Sequence, residues 1–367
     1  MASALGLFSL FLLPMHPATL RRAPSSTEPD DVPLRLFCSS NERFVLSMAV
    51  MLHSALTNLT TVQDVEIVIA DTGLSDESYQ KLRALVHRAP VSVSLQFRKP
   101  DVDSLDGMRT TDWHRLPIYF RLLVEQIVPP SWDRLLYLDS DVLVRSDLGR
   151  LWRTPLDGAL SLGVVDFRVP TVWERNELRD VYVNALGLPP DTPYCNSGMM
   201  LLNLKRWRDE AIGQRCLRFL REHPKHTYYP DQDAINAIFR GDWKLIDPRW
   251  NVALSAVPYL GYPEHHTPAM RAEQEELLAD PHIVHYTGPS KPWHHTYRRS
   301  YSRLFLDTLN QSGWLTGAGG WWWTASRRVT HTCMRQASRN VVPVVRSASE
   351  RVQQMWARET AATGGEW

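Results

Sequence analysis

The sequence predicts an α/β protein with a mostly parallel sheet covered by helices. From Leu34 onward, short apolar runs that fit buried strands alternate with segments whose apolar residues recur at helical spacing. This β-α-β-α-β order is typical of parallel sheets, because each parallel crossover needs a covering helix. Ligands of such sheets bind at the carboxyl ends of the strands, and Asp71 and Asp139 both follow predicted strands.

Local patterns of apolar, β-branched and turn-forming residues predict the individual elements. Ser75 suits the N-cap of a helix that reaches about Arg88, and Pro117 fits the first turn of a later helix. Strands are predicted at residues 34–39, 65–70, 91–97, 135–138, 159–166, 198–204 and 283–286. The other helices are predicted at residues 44–56, 116–127, 205–221 and 231–240. The α/β pattern fades after about Arg303.

The chain divides into a leader with a linker at residues 1–33, a main domain at 34–313 and a tail at 314–367. The apolar run from Ala4 to Met15 is too short to span a bilayer. Arg21 and Arg22 follow this run, whereas a signal peptide carries its positive charge before it. We therefore favour a disordered leader or an upstream start codon, with a weak anchor or signal as the alternative.

Composition and charge set limits on function. Apolar residues make up 44% of the 367 residues, which is typical of a globular protein, and the net charge of +1 offers no strong field for nucleic acid. The four cysteines form no C-x-x-C pair, which argues against a cysteine-based zinc site. Their low number fits reduced thiols in a cytosolic protein, although four cysteines still allow three disulfide pairings.

The most informative stretch is Leu-Leu-Tyr-Leu-Asp139-Ser140-Asp141-Val-Leu-Val. If the strand continues through it, Asp139 and Asp141 point to the same face and repel each other. A divalent cation would remove that penalty, and hard oxygen ligands suit Mg²⁺ or Mn²⁺ beside a substrate phosphate. A solvated Asp-rich turn is the simpler alternative. Among enzymes, both a glycosyl-transferring site and a phosphatase with an aspartyl nucleophile fit this motif.

A second cluster, from His285 to Trp293, favours the transferase. A neutral imidazole at a strand end suits a third metal ligand and shifts the preference from magnesium toward manganese. Gly288 lets backbone N–H groups approach an anion, and Lys291 supplies a point charge for a phosphate. His285 alone would more often be structural, but these residues lie within nine positions. A phosphatase would carry its acid pair on the first strand, whereas Asp139 follows about three strands.

Four motifs then carry a family resemblance, and they occur in the order L-Y-L-D-S-D-V-L-V, Y-C-N-S-G-M-M-L-L-N-L-K-R-W-R, D-Q-D-A-I-N and H-Y-T-G-P-S-K-P-W. With them, residues 34–293 resemble glycosyltransferase family 8, which includes bacterial lipopolysaccharide galactosyl- and glucosyltransferases. The resemblance implies an A-type nucleotide-sugar-binding fold with a mostly parallel mixed sheet. It also implies Mn²⁺, with Mg²⁺ as the alternative, and retaining transfer of a hexose from a UDP-sugar to a glycan or lipid-linked acceptor.

The resemblance assigns roles to individual residues. Those that look like metal ligands are Asp139, Asp141 and His285. Those that look like contacts to the nucleotide, the diphosphate or the donor are Ser40, Asn41, Arg121, Ser140, Gly288 and Lys291. Those that fall where the family lines the sugar pocket are Asp166, Asn196, Asp231 and Gln232, and Gln232 resembles the residue beneath the anomeric carbon.

Structural roles remain open for several of these side chains. Asn196 would also suit a residue that satisfies backbone groups before a buried strand. Asp166 would suit the cap of a loop, and Asp231 the N-cap of its helix. Trp293 is expected to pack rather than to react.

One departure from the family pattern lies at the nucleotide end. The family usually has a D-x-x-Y element after its first strand, and here Asn41 aligns with the Asp and Phe44 with the Tyr. Asn keeps hydrogen-bonding capacity but loses the charge. The departure therefore concerns uracil recognition and leaves the metal chemistry unchanged.

The tail differs in character from the main domain. Trp321, Trp322 and Trp323 are followed by scattered arginines, which suits a membrane headgroup interface. A solvated basic helix or a partly disordered tail is the alternative. The expected location is cytoplasmic, with peripheral contact at the inner face of the membrane. A non-catalytic nucleotide-sugar or glycan-binding protein of the same fold remains the main functional alternative.

Overall fold

The chain folds around a seven-stranded sheet, which is described here from a computed structural model. The described residues are 32–71, 73–108, 116–254, 276–294 and 301–315. The predicted leader and linker at 1–33 and the predicted tail at 314–367 therefore lie almost entirely outside the described residues.

Seven of the ten described strands lie close to their predicted positions, and the short strands at 142–144, 243–245 and 252–253 had no prediction of their own. In chain order the ten strands are β1 (Leu34–Ser40), β2 (Asp64–Asp71), β3 (Ser92–Arg98), β4 (Arg134–Leu138), β5 (Val142–Val144), β6 (Ser161–Val165), β7 (Cys195–Asn203), β8 (Trp243–Leu245), β9 (Val252–Ala253) and β10 (Ile283–His285). Strand β7 begins three residues earlier than predicted. Its residues 195–202 are all buried, so its side chains contact protein on both faces of the sheet.

The described helices cover the sheet and are short. In chain order they are α1 (Val45–Thr57), α2 (Asp76–His87), α3 (Val124–Ile127), α4 (Leu148–Trp152), α5 (Leu204–Asp209), α6 (Ile212–Glu222), α7 (Pro230–Phe239) and α8 (Ser302–Gln311). Ser75 caps α2 as predicted, because its hydroxyl accepts the Ser78 N–H at 3.2 Å. Among the described residues, no helix is long and apolar enough to cross a bilayer.

The sheet topology is parallel in its first half and mixed in its second. The strand order is β3-β2-β1-β4-β7-β6-β8, and the pairs among β1 to β4 are parallel, as predicted. Strand β7 runs antiparallel to both β4 and β6. Its N-terminal end therefore lies beside the carboxyl end of β4. This arrangement places residues 196–198 next to Asp139.

A second, three-stranded sheet has the order β5-β10-β9. Strand β10 pairs antiparallel with β5, so that His285 lies opposite Val142 in the register. Val142 directly follows Asp141 in the chain. The pairing thus delivers a histidine from late in the chain to the acidic turn between β4 and β5.

The predicted helix at 116–127 is mostly a 3₁₀-helix. Residues Leu116–Leu123 form 3₁₀ turns, and only α3 is α-helical. Residues 119–123 are all buried, so this segment contacts its surroundings on every side instead of along one stripe. Tertiary packing here overrides the helical spacing of the sequence.

The predicted helix at 205–221 is broken into α5 and α6. Ala211 between them adopts a left-handed backbone with φ of 51°. The break lets α6 approach the 3₁₀ segment, because a Cβ on Gly213 would lie 2.2 Å from the carbonyl oxygen of Leu122. The helix is therefore interrupted where the backbone of Gly213 packs closely against the backbone of Leu122.

The described cysteines agree with the expected reduced thiols. Cys38, Cys195 and Cys216 are buried and form no disulfide, while Cys333 lies outside the described residues. Burial raises the pKa of Cys38 to about 12. Its thiol is therefore a packing group at neutral pH.

Candidate active site

A cavity of about 390 Å³ opens at the carboxyl ends of β1 and β4. This volume is in the range of small-molecule sites. All thirteen residues that the sequence singled out line it, and they are Ser40, Asn41, Arg121, Asp139, Ser140, Asp141, Asp166, Asn196, Asp231, Gln232, His285, Gly288 and Lys291. The fold thus brings together side chains that are up to 251 positions apart in the sequence, from 40 to 291.

The two aspartates lie on a turn. Strand β4 ends at Leu138 and β5 begins at Val142, so the expectation that one strand runs through the motif is wrong. The turn is anchored at both ends, because the Asp139 N–H donates to the Gly198 carbonyl at 2.8 Å and Asp141 O accepts the Tyr286 N–H at 3.0 Å. Both carboxylates nevertheless face the cavity, because the turn, and not the alternation of a strand, directs them there.

Asp139 uses its two carboxylate oxygens differently. Its Oδ1 accepts from Arg121 Nη2 at 2.5 Å and from the Tyr137 hydroxyl at 2.6 Å, whereas its Oδ2 lies 3.6 Å from His285 Nε2. Burial raises the pKa of Asp139 and also raises that of Tyr137 well above its ordinary value. The phenol therefore stays protonated and remains a donor to the carboxylate.

The two carboxylate oxygens of Asp141 also have different partners. Its Oδ2 accepts from the Lys291 ammonium, which also donates to the Tyr286 carbonyl at 2.8 Å, and its Oδ1 lies 3.3 Å from His285 Nε2. Burial alone would raise the pKa of Asp141, but the charge and hydrogen bond of the Lys291 ammonium, with a smaller contribution from His285, outweigh it and hold the pKa below its ordinary value. The carboxylate is thus ionised at neutral pH.

The free sides of these groups meet at one point, which suits a divalent cation. One ligand atom each of Asp139, Asp141 and His285 lies within 4.8 Å of the others. Two carboxylates and an imidazole suit Mn²⁺. A Cβ at Gly198 would lie 2.2 Å from His285 Cε1 and 2.8 Å from Asp139 Oδ2, so glycine leaves the two ligands their positions. The residues present therefore fit the metal that the sequence implies.

Amide side chains organise the opposite wall of the cavity. Asn196 Nδ2 and Gln232 Nε2 both donate to Asp166 Oδ2 at 3.0 Å, and the Ser197 N–H donates to Gln232 Oε1 at 3.1 Å. Asp166 Oδ1 also accepts the Arg168 N–H at 3.0 Å. Asp166 thus caps its loop, as the structural alternative held, and at the same time faces the cavity between two amides.

Asp231 is not the N-cap of its helix. Tyr229 occupies that position, and Asp231 follows Pro230 in the first turn of α7. Its carboxylate pairs with Arg121 Nη1 at 2.9 Å, so Arg121 lies between Asp139 and Asp231. Burial lowers the pKa of Arg121, but these carboxylates outweigh burial and the net pKa is raised. Arg121 is therefore a permanent cation in the cavity wall.

Asp233 holds this wall in place from behind. It is fully buried, pairs with Arg175 at 2.7 Å and accepts the Tyr194 hydroxyl at 2.6 Å. It also accepts the N–H groups of Tyr228 and Tyr229, both at 2.9 Å. Asp233 therefore fixes the start of α7, because it binds the two N–H groups that directly precede the helix.

The end of the cavity next to β1 is lined by Ser40, Asn41 and Phe44 together with Pro117 and Ile118. Asn41 Oδ1 accepts the Arg43 N–H at 3.0 Å, so the side chain also shapes its own turn. Trp293 packs edge-on against Phe44 with ring centroids 5.9 Å apart, which agrees with its expected packing role. Gly288 has φ of 87°, a conformation that favours glycine at this turn.

Several residues of the site were missed by the sequence reasoning. Asn251 is buried, and its Oδ1 lies 2.9 Å from His285 Nδ1. No local pattern marks it, because its partner is 34 positions away. Tyr137 was also missed, although it stands only two residues before Asp139 and donates to its carboxylate. Tyr228 and Tyr229 immediately precede the P-D-Q-D segment, and proximity to that motif could have found them.

Comparison with known proteins shows the family of the chain. The chain matches Glycosyl transferase family 8 over residues 35–297, and it belongs to that family. It is 24% identical over 289 residues to general stress protein A of Bacillus subtilis (strain 168), covering 77% of this chain and 95% of that protein. It is 29% identical over 247 residues to a lipopolysaccharide 1,2-glucosyltransferase of Escherichia coli (strain K12), covering 67% and 69%.

A solved structure confirms the fold. The galactosyltransferase LgtC, in complex with donor and acceptor sugar analogues, matches with a TM-score of 0.63 at 22% identity. The match covers 76% of this chain and 96% of LgtC. The chain therefore has the A-type glycosyltransferase fold that was predicted. Together with its family, this makes the protein a glycosyltransferase, and the phosphatase and non-catalytic readings are set aside.

The close approach at Gly198 generates a prediction about metal affinity. We expect Gly198→Ala to weaken Mn²⁺ binding at least about tenfold, because the new methyl group displaces His285 and Asp139. Gly163→Ala is the matched control, since its Cβ would lie 2.5 Å from the Trp243 ring on the neighbouring strand. Both changes should cost about 1–3 kcal/mol of stability. Mn²⁺ titration by electron paramagnetic resonance would contradict the account if the two variants bound equally well.

Proposed function

We propose that the protein transfers a hexose, glucose or galactose, from a UDP-sugar to a glycan or lipid-linked acceptor with retention at the anomeric carbon. The cofactor in this proposal is Mn²⁺, or Mg²⁺ as the alternative, held by Asp139, Asp141 and His285. The observation that carries the proposal is the meeting of these three ligands with Lys291 in one cavity. The glucosyltransferase among the relatives supports a hexose donor.

The diphosphate of the donor is proposed to lie between the acidic turn and the segment from Gly288 to Lys291. Lys291 is mostly buried and donates to Asp141, so its charge already faces the region that a phosphate would enter. The cation, when bound, would offset negative charge on the departing UDP. Lys291 would stabilise the same charge through a charge-assisted hydrogen bond, and Gly288 would let the backbone approach closely. Ser40, Asn41 and Ser140 would contact the nucleotide.

The sugar is proposed to lie against Asp166, Asn196, Asp231 and Gln232. Both polar atoms of the Gln232 amide are held, one by Asp166 and one by the Ser197 N–H. The amide is therefore rigid, and it is a poor nucleophile. Its carbonyl oxygen suits the stabilisation of positive charge at an anomeric carbon in an oxocarbenium-like transition state.

We favour a front-face displacement for the transfer itself. A hydroxyl oxygen of the acceptor forms a bond to the anomeric carbon while the bond from that carbon to the β-phosphate oxygen breaks. The electron pair of the broken bond stays with UDP, and a phosphate oxygen of UDP takes the hydroxyl proton. The ion pair of Asp231 with Arg121 supports this route, since it makes that carboxylate a weak nucleophile.

The acceptor is proposed to enter at the rim formed by Arg168, Tyr228 and Tyr229. All three line the cavity, and the Arg168 guanidinium donates to the Tyr229 hydroxyl at 3.1 Å. Tyr228 is 60% exposed and lies beside Tyr229, with ring centroids 4.8 Å apart. Exposed aromatic faces of this kind suit the apolar face of a sugar ring.

The membrane contact of the tail and the cytoplasmic location stay predictions, since residues 316–367 are outside the described part.

The donor half of the proposal is tested by hydrolysis. We expect Mn²⁺-dependent release of UDP from one of UDP-glucose, UDP-galactose and their N-acetyl forms. Asp139→Asn and Asp141→Asn should each reduce the rate by at least about 100-fold, because each removes a charged ligand. Asp209→Asn, at an exposed side chain in an ion pair with Lys205, is the control. Full activity of either ligand variant with added Mn²⁺ would rule out the metal assignment.

The proposed acceptor contact is tested by a substitution at the rim of the cavity. We expect Tyr228→Ala to raise the KM for the acceptor about three- to tenfold, since an aromatic contact contributes about 0.5–1.5 kcal/mol. Hydrolysis of the donor alone should stay unchanged. Trp173→Ala is the matched control, because Trp173 is 48% exposed and does not line the cavity. An equal effect of both variants, or none at Tyr228, would place the acceptor elsewhere.

A further inference from the structure

A chain of buried hydrogen bonds leads from the backbone of β7 to the histidine of the metal site. The Gly198 N–H lies 3.0 Å from one terminal side-chain atom of Asn196. A backbone N–H can only donate, so this atom of Asn196 must be the oxygen. The backbone of one strand thereby fixes the orientation of the Asn196 amide, with its nitrogen turned toward Asp166 at 3.0 Å.

The orientation of the Asn196 amide in turn fixes the orientation of the Asn251 amide. The same oxygen of Asn196 lies 2.9 Å from a terminal atom of Asn251, which must therefore be the nitrogen. The remaining atom of the Asn251 amide is its oxygen, and this oxygen faces His285 Nδ1 at 2.9 Å. An amide oxygen can only accept. The proton of the neutral imidazole must then be on Nδ1, which leaves the lone pair on Nε2.

The surroundings of His285 Nε2 favour the opposite arrangement. Asp141 Oδ1 lies 3.3 Å from this nitrogen and Asp139 Oδ2 lies 3.6 Å from it. Both are acceptors, so they would attract the proton to Nε2 if nothing opposed them. A proton on Nε2 would occupy the lone pair that a metal needs. Without a strong acceptor on the far side of the ring, the ligand set would therefore be in the wrong state for the metal.

We propose that Asn251 is a positioning residue that holds the proton of His285 on Nδ1 and so keeps Nε2 ready for the metal. Asn251 is almost fully buried at the end of the 3₁₀-helix Pro248–Asn251, directly before β9. Strand β9 is parallel to β10, so the two sides of this hydrogen bond are fixed by the small sheet. The amide acts through His285 and is not itself among the residues that line the cavity.

The inference rests on the proposed metal-dependent transfer, but its test is made without metal or donor. The full chain is labelled with ¹⁵N-histidine, and the imidazole signals of His285 are assigned by their loss in His285→Gln. At mildly alkaline pH, the wild type should show a neutral ring protonated on Nδ1. In Asn251→Leu the proton should move toward Nε2, because the acceptor is gone while the two carboxylates remain.

Mn²⁺ affinity is measured in parallel by electron paramagnetic resonance. Asn251→Leu should lose about 10- to 100-fold in affinity. Asn251→Asp should keep the Nδ1 proton and most of the affinity, since a carboxylate still accepts from Nδ1. Asn236→Ala is the control, because Asn236 is an equally buried amide that bonds to the Cys195 backbone and not to His285.

The possible outcomes distinguish the role of Asn251 from the proposed metal-dependent function. An unchanged tautomer in Asn251→Leu would overturn the inference, and so would an equal loss of Mn²⁺ affinity in Asn236→Ala. If Asn251→Leu does not fold, loss of the Nδ1 proton in Asn251→Asp would overturn it instead. If the wild type shows the predicted tautomer but binds no Mn²⁺, the proposed function fails while the role of Asn251 in fixing the ring stands.

Discussion

Two aspartates whose carboxylates meet beside one histidine set the terms for the rest of the site. Two like charges in this position repel each other, and each must be compensated for the fold to be stable. The structure compensates one oxygen of each group. Arg121 and Tyr137 bind Asp139, and Lys291 binds Asp141. The other oxygen of each carboxylate is turned toward His285. The contacts that compensate the two negative charges therefore also leave three ligand atoms free for a metal.

The topology of the sheets serves this arrangement. Because β7 runs antiparallel to β4, its first residues lie beside the acidic turn, and there they supply Gly198, which is small enough to leave the ligands in position. Because β10 pairs with β5, His285 arrives at the same turn from 144 positions beyond Asp141. Helix α7 is joined to β7 through Asn236, which exchanges hydrogen bonds with the Cys195 backbone. That contact holds Gln232 in the cavity wall beside Asp166.

Periodicity predicted the parallel half of the sheet, and the motifs with the family resemblance predicted thirteen of the residues that line the cavity. They could not predict what depends on contacts between distant segments. The D-x-D pair lies on a turn because β5 leaves β4 to pair with β10, which no local pattern shows. The helix at 205–221 breaks because Gly213 packs against the backbone of Leu122, which lies 91 positions earlier in the chain. Asn251 was missed because its function follows from the direction of hydrogen bonds, which composition and spacing do not encode.

The central claim is that Asp139, Asp141 and His285 bind one divalent cation next to the diphosphate of a nucleotide-sugar. Anomalous diffraction at the manganese edge, from crystals grown with MnCl₂ and UDP, tests it most directly. The account predicts one strong peak in contact with both carboxylates and with His285 Nε2, and UDP phosphate oxygens in contact with the same ion and with Lys291. A peak that lies away from these three side chains, or a UDP bound with no manganese in crystals that diffract well, would contradict the account.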